Sequence, residues 1–273
     1  ELTQMPLIKP LQFATFVILS LLGSTTPVLS HANEVLSLNS LKNHLNANAY
    51  LYVLEDRKHA LTIDDVHKMP NTLPFTKNNG DVVNLGFSDS SWWFRLSTDT
   101  SIKSTINTTN PNNGKYLLEI ETPFLNHLNV YVYESGTLLY KRETGLMHPF
   151  ESRGYEHPHY VFPLHLPRNK KVDIYFNTWG RNSITVPVKI WNPEAFANNY
   201  AVSQSVFGVY YGIMLAMLLF NLFIVFSIRD KSYIFYSLYI VGLLLLHAAL
   251  TGFGHQHLWR NNLWIADKAV TVI

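Results

Sequence analysis

The chain has 273 residues, 47% of them hydrophobic and only 15% charged, with a formal net charge of +2. A balance this small argues against nucleic acid as a partner, and the absence of cysteine excludes disulfides, thiolate metal sites and thiol catalysis. Soluble domains usually carry about 25% charged residues, and the shortfall here is local: no Asp, Glu, Lys or Arg occurs from Ala195 to Ile228 or from Ser232 to Trp259.

Residues 1–32 read as a cleavable signal peptide. Lys9 supplies a positive start, and Leu11 to Leu22 is an uncharged apolar run, shorter than the ~20 residues that span a bilayer. Ser30-His31-Ala32 then places small residues at a peptidase site before Asn33.

Residues 33–196 read as a periplasmic all-β domain. Trp92–Ser97, Tyr116–Glu121, Leu128–Tyr133, Tyr160–Leu166, Lys171–Asn177 and Ile184–Trp191 have the β-branched, aromatic and alternating content of strands. Asn78-Asn79-Gly80-Asp81, Asn110-Pro111-Asn112-Asn113-Gly114, Glu134-Ser135-Gly136 and Pro167-Arg168-Asn169 are turn signals between them. Short strands at this spacing predict a sandwich or barrel. Leu36–Leu51 is expected to form a short helix leading into it. Asp64 and Asp65 are adjacent, so on a strand they point to opposite faces.

Residues 197–273 read as the start of a membrane domain, with spans at about 205–228 and 233–253 and a third starting at Leu263. Arg229 and Lys231 place the first loop in the cytoplasm by the positive-inside rule, and the β domain therefore outside, in agreement with the signal peptide. Two complete helices read as a piece of a larger bundle. Asn221 and His247 are polar residues inside the spans. Asn221 is expected to bond across the bundle, and His247 is expected to bond in the same way or to act as a proton-sensitive group.

Several ordered motifs carry a resemblance from about Tyr50 to the C-terminus. They include Leu54-Glu55-Asp56, Leu61-Thr62-Ile63-Asp64-Asp65-Val66, Leu85-Gly86-Phe87-Ser88-Asp89-Ser90, Trp93-Phe94-Arg95-Leu96 and Glu119-Ile120-Glu121-Thr122-Pro123. Trp191-Asn192-Pro193-Glu194-Ala195-Phe196, Tyr211-Gly212-Ile213-Met214 and Arg229-Asp230-Lys231-Ser232-Tyr233 follow. In these the chain resembles the seven-transmembrane receptors with diverse intracellular signalling modules (7TMR-DISM), in the form with the second type of periplasmic domain. The resemblance implies a jelly-roll-like β-sandwich similar to carbohydrate-binding modules, seven helices, and a cytoplasmic output such as a diguanylate cyclase or histidine kinase. This chain departs from the family by having Asn126 where members often carry Asp.

Candidate site residues fall in two groups. Trp93 and Arg95, two apart on a strand, share a face opposite Trp92 and Phe94. They suit first a core Trp with an Arg covering the sheet edge, and next a sugar site, with a ring to stack and a guanidinium fork to bond hydroxyls. Arg153, His157, His159 and Arg181 suit structural hydrogen bonding first and anion or sugar recognition next. Metal binding through His157-Pro158-His159, with His148 or His165 as third ligand and Glu151 and Glu156 the nearby carboxylates, comes last. The ligand-binding set is thus Trp93, Arg95, Arg153, His157 and Arg181, with no catalytic residue, metal or cofactor expected.

No Gly-x-Ser-x-Gly elbow, phosphate-binding loop or His-Glu-x-x-His occurs, so no enzyme is expected in this chain. The expected role is ligand sensing and membrane anchoring in a bacterial inner-membrane receptor. Its expected partners are a carbohydrate-like small molecule, the lipid bilayer and a second copy paired through the transmembrane bundle. The alternative is a periplasmic protein–protein interaction module without a small-molecule ligand.

Overall fold

The computed structural model describes residues 34–38, 41–101 and 114–271; the expected signal peptide lies outside them. In chain order the strands are β1 (Leu36–Ser37), β2 (His44–Asn46), β3 (Leu51–Asp56), β4 (Thr76–Lys77), β5 (Val83–Gly86), β6 (Ser91–Asp99) and β7 (Lys115–Ile120). They continue as β8 (His127–Glu134), β9 (Thr137–Thr144), β10 (Tyr160–His165), β11 (Lys171–Trp179), β12 (Ile184–Val186) and β13 (Val188–Trp191). The helices are α1 (Ile63–Lys68), α2 (Pro193–Ile228), α3 (Ser232–Leu250), α4 (Phe253–His257) and α5 (Leu263–Thr271).

The larger sheet runs β4-β3-β6-β11-β8-β9, with β1 added in parallel alongside β6. A second sheet runs β10-β7-β13-β2, and β12 pairs with β5. Alternation places Phe94 and Leu96, Ile174 and Phe176, and Val130 and Val132 on one inner face. Tyr116, Leu118, Phe162, Leu164 and Ile190 come from the second sheet, and all are buried in one core. Phe94 stacks on Phe176 at 4.7 Å, fixing the register at the centre of the large sheet.

Three local expectations change. Leu36–Leu51 is not a helix: Leu36 and Leu38 alternate into the core, β2 pairs with β13, and among the described residues the helical piece is a single 3-10 turn at Asn48–Tyr50. Ile184–Trp191 is two strands, because Pro187 has no N–H to give a ladder, and the chain changes sheets there. Asp64 and Asp65 sit in the first turn of α1 rather than on a strand. Asp65 closes a capping box, its backbone N–H donating to Thr62 Oγ1 while its carboxylate accepts the Thr62 N–H at 2.9 Å.

The connection from the sandwich to the first span is helical from Pro193 onward. Helix α2 begins at Pro193, capped by Asn192, whose side chain accepts the Glu194 N–H at 2.9 Å. It continues for 36 residues, about 54 Å. Both α2 and α3 are apolar on all sides, as helices in lipid are. Arg229 ends α2 in the left-handed region at φ 59°, and α3 returns antiparallel to it. The end of α3 and the segment after it therefore come back to the sandwich.

Candidate functional site

Trp93 and Arg95 do share the outer face of the large sheet, but they are not open to solvent. Trp93 packs with Leu54, Tyr131, Tyr133 and Tyr175 beneath Val66 of α1. His67 of α1 stacks on Tyr133 at 3.8 Å. Arg95 pairs with Asp173 at 3.6 Å and lies 5.9 Å over the Tyr175 ring. Burial pushes the Tyr175 hydroxyl up to about 12, with Asp173 adding to it. Trp93 Nε1, Tyr175 Oη and His67 Nδ1 are buried with no hydrogen-bond partner among the described residues. The expected exposed sugar platform is thus a roofed aromatic cluster, because α1, which alternation does not reveal, covers that face.

The open concavity lies at the neighbouring sandwich edge. A groove of about 660 Å³ is lined by Glu55 of β3, Lys77 and Asn78 at β4, Asn84 and Leu85 of β5, and Trp92 of β6. Each polar wall is held in place. Ser90 Oγ donates to Glu55 Oε1 at 2.8 Å and Arg57 Nε to Oε2 at 3.0 Å. The Ser90 bond is the chief reason the Glu55 carboxyl sits below its usual range, so it is ionised at neutral pH. Trp92 Nε1 donates to Ser88 Oγ at 3.0 Å, fixing the indole plane. Asn78 Nδ2 donates to the Asn48 and Asp81 carbonyls. An oriented aromatic wall beside a carboxylate, an ammonium and amides can stack on an apolar ring face and bond hydroxyls. Phe87, 82% exposed, follows β5.

Arg153 is buried where the sandwich meets the helices, with 1% of its surface accessible. Its guanidinium donates to the Pro158 and Pro123 carbonyls, to Tyr160 Oη, and to His255 Nδ1 at 3.0 Å. It lies 4.3 Å from the Tyr160 ring centre. Burial lowers its pKa, yet a guanidinium stays charged. Arg260 Nη2 meets Glu156 at 2.6 Å and its Nε meets Glu151 at 2.6 Å. Asn126 donates to Asp267 Oδ1 at 3.0 Å, while its Oδ1 accepts the Arg181 and Asn182 N–H groups. Gly252, at φ 75°, abuts this seam; a Cβ there would stand 2.5 Å from Pro123 Cβ. Arg153 is therefore a structural tie, and Arg181 is exposed on the loop after β11. The five expected ligand-binding residues do not converge: they divide among the roofed face, the seam and an open loop.

His157 also lies at the seam, 4.6 Å from the Tyr200 ring and 5.1 Å from Phe196. Burial, and secondarily the neighbouring His159, push its pKa down to about 3, so it is neutral. His159 Nδ1 donates to Glu119 Oε1 at 2.8 Å, and Trp191 Nε1 donates to Oε2 at 2.7 Å. Burial raises the Glu119 pKa, but these bonds and the two imidazoles outweigh it and hold the carboxyl below its usual range. In the spans, Asn221 bonds its own helix at the Met217 carbonyl, 2.7 Å away, rather than crossing the bundle. The bond between helices is made by His247 Nδ1 and Tyr211 Oη, at 3.0 Å.

Two family descriptions match this chain: "7TMR-DISM extracellular 2" over residues 48–192 and "7TM diverse intracellular signalling" over residues 203–273. The chain belongs to the 7TMR-DISM family. In this 7TMR-DISM chain the sandwich is the extracellular domain of a signalling receptor and α2 begins its transmembrane region. No curated protein matches. Among solved structures, the GH31 alpha-xylosidase from Xanthomonas citri is similar over 52% of this chain and 15% of its own, at 11% identity and a TM-score of 0.23. A superposition that loose carries no argument.

Reading the 7TMR-DISM sequence alone misses Glu55, Lys77, Asn78 and Trp92 as groove residues. Trp92 adjoins Trp93, and Glu55 lies within Leu54-Glu55-Asp56. What the sequence lacks is the pairing of β3 with β4 and β6 that assembles them.

Proposed function

We propose that this chain senses a carbohydrate-like small molecule outside the bacterial inner membrane and passes its binding to the membrane helices. The observation that carries the reading is the groove, in which an indole fixed by Ser88 faces the same cavity as an ionised Glu55, Lys77 and Asn78. Planar polar groups beside an aromatic wall suit a hydroxyl-rich ring. A ligand shifts the receptor only through different affinities for two arrangements of the helices. The seam of Arg153, Arg260 and Asn126 is the element such a difference would act on. Positive-inside Arg229 and Lys231 support a periplasmic sandwich.

The test is titration of the full chain in nanodiscs with a panel of sugars and envelope glycans, in parallel with a Trp92→Ala variant. Saturable binding that the variant weakens about tenfold supports the reading. No saturable binding across the panel, or binding unaffected by the substitution, sinks it. Val82, 45% exposed in the groove lining, favours a second reading, in which the groove takes a peptide segment of a periplasmic partner.

A further inference from the structure

We infer that Glu119, His157 and His159 form a site for one divalent metal ion of the zinc class, set between the sandwich and the first membrane helix. Their ligand atoms lie within 4.8 Å of one another. Strand pairing brings them together: β10 runs antiparallel to β7 with Val161 opposite Glu119, so the His-x-His turn before β10 falls beside that carboxylate. Two imidazoles and a carboxylate are a three-ligand zinc set, leaving a fourth position for water.

The geometry adapts at small cost. Ligand atoms around a tetrahedral zinc stand about 3.3 Å apart, so the 2.8 Å contact of Glu119 with His159 opens slightly while wider separations close. His157 Nδ1 now accepts the His159 N–H at 3.0 Å. Metal on Nδ1 takes that lone pair, and metal on Nε2 moves the ring proton to Nδ1. Either way that backbone hydrogen bond and the bond from His159 Nδ1 to Glu119 Oε1 are exchanged for three metal–ligand bonds.

The surroundings are those of a supported site. Trp191 Nε1 holds Glu119 Oε2 and leaves Oε1 to the metal, the outer-shell role that orients a carboxylate ligand. Phe196 and Tyr200 wall off His157, while the His159 side chain, 30% exposed, gives an entry path. Nitrogen donors select against calcium and magnesium, which take oxygen sets. A metal here would clamp β7 to β10 against the first turns of α2.

The test is zinc binding to the untagged full chain in nanodiscs, under chelator competition, with Co²⁺ absorption as a probe of coordination. The expected result is one Zn²⁺ per chain, undisplaced by excess Ca²⁺, and a tetrahedral Co²⁺ spectrum. His159→Gln, at the partly exposed ligand, should weaken zinc at least about 100-fold with an unchanged circular dichroism spectrum. Absence of stoichiometric zinc from the wild-type chain, a Co²⁺ spectrum without tetrahedral bands, or full affinity in His159→Gln each overturn the site. Sugar binding in the groove is read separately, so the two proposals fail independently.

Discussion

Arg153 and His255 meet 3.0 Å apart, inside the protein, across 102 residues of chain. One stands on the turn between β9 and β10, the other on α4, just beyond the second membrane helix. No carboxylate pairs with this arginine among the described residues; carbonyls, a phenol and an imidazole share its charge instead. The contact joins the extracellular sheet to the returning end of the hairpin, and it makes Arg153 the residue whose loss exposes most about that joint. Arg153→Met should lower stability by about 3 kcal/mol, because the carbonyls and imidazole it satisfies stay buried. Thermal unfolding in nanodiscs measures it. A double-mutant cycle with His255→Gln should show non-additivity.

Acid should loosen the same joint. Docked, His255 is held at about 3, chiefly by burial and then by Arg153, with Arg260 lowering it further and Glu151 opposing. Released, it returns toward about 6.5. The open form therefore binds more protons, so docking is fully favoured above pH ~6.5 and weakens as pH falls toward ~3. Glu151, held below 4.5 first by its bond from Arg260, adds its own loss only below about pH 4.5. Hydrogen exchange of residues 252–258 between pH 5 and 7 isolates the histidine, and His255→Gln should flatten that profile.

Gly252 offers a steric test of the joint. Alanine there meets Pro123 at 2.5 Å and the Pro158 carbonyl at 3.0 Å, in a left-handed conformation that side chains disfavour. Gly252→Ala should raise protease sensitivity after α3.

Adjacent tryptophans should behave oppositely. Trp93→Ala empties part of a packed cluster and should cost about 3–5 kcal/mol. Trp92→Ala opens the groove wall and should weaken ligand binding about tenfold with a smaller change in melting temperature.

In the membrane, Tyr211→Phe removes the hydrogen bond to His247 and should cost about 0.6 kcal/mol, as bonds between membrane helices do. Asn221→Leu should cost less, since its bond stays within one helix. Reversible unfolding in detergent compares the two.

Much of the fold is legible from local pattern. Strands such as β6, β8 and β11 show because their inner faces alternate strictly, and the hairpin shows because charge is confined to Arg229-Asp230-Lys231. What pattern does not show is who lies on top of whom. Trp93 and Arg95 have the face expected of them, but the six residues of α1 that roof it carry too short a period to stand out. Edge strand β9 is largely solvated and lacks a clear apolar alternation. The third partner of His157 and His159 is Glu119, about forty residues earlier, reached through the β7–β10 register and not through the nearer His148 or His165.

The unbroken course of α2 has a mechanical consequence. Proline occurs only at its first position, and none of the usual causes of a sharp kink by proline lies within it. Where the helix moves as one rod, a 5° lean at the outer end carries the inner end through about 5 Å over its ~54 Å length. A rearrangement too small to notice in the sandwich therefore arrives, amplified, beside Arg229.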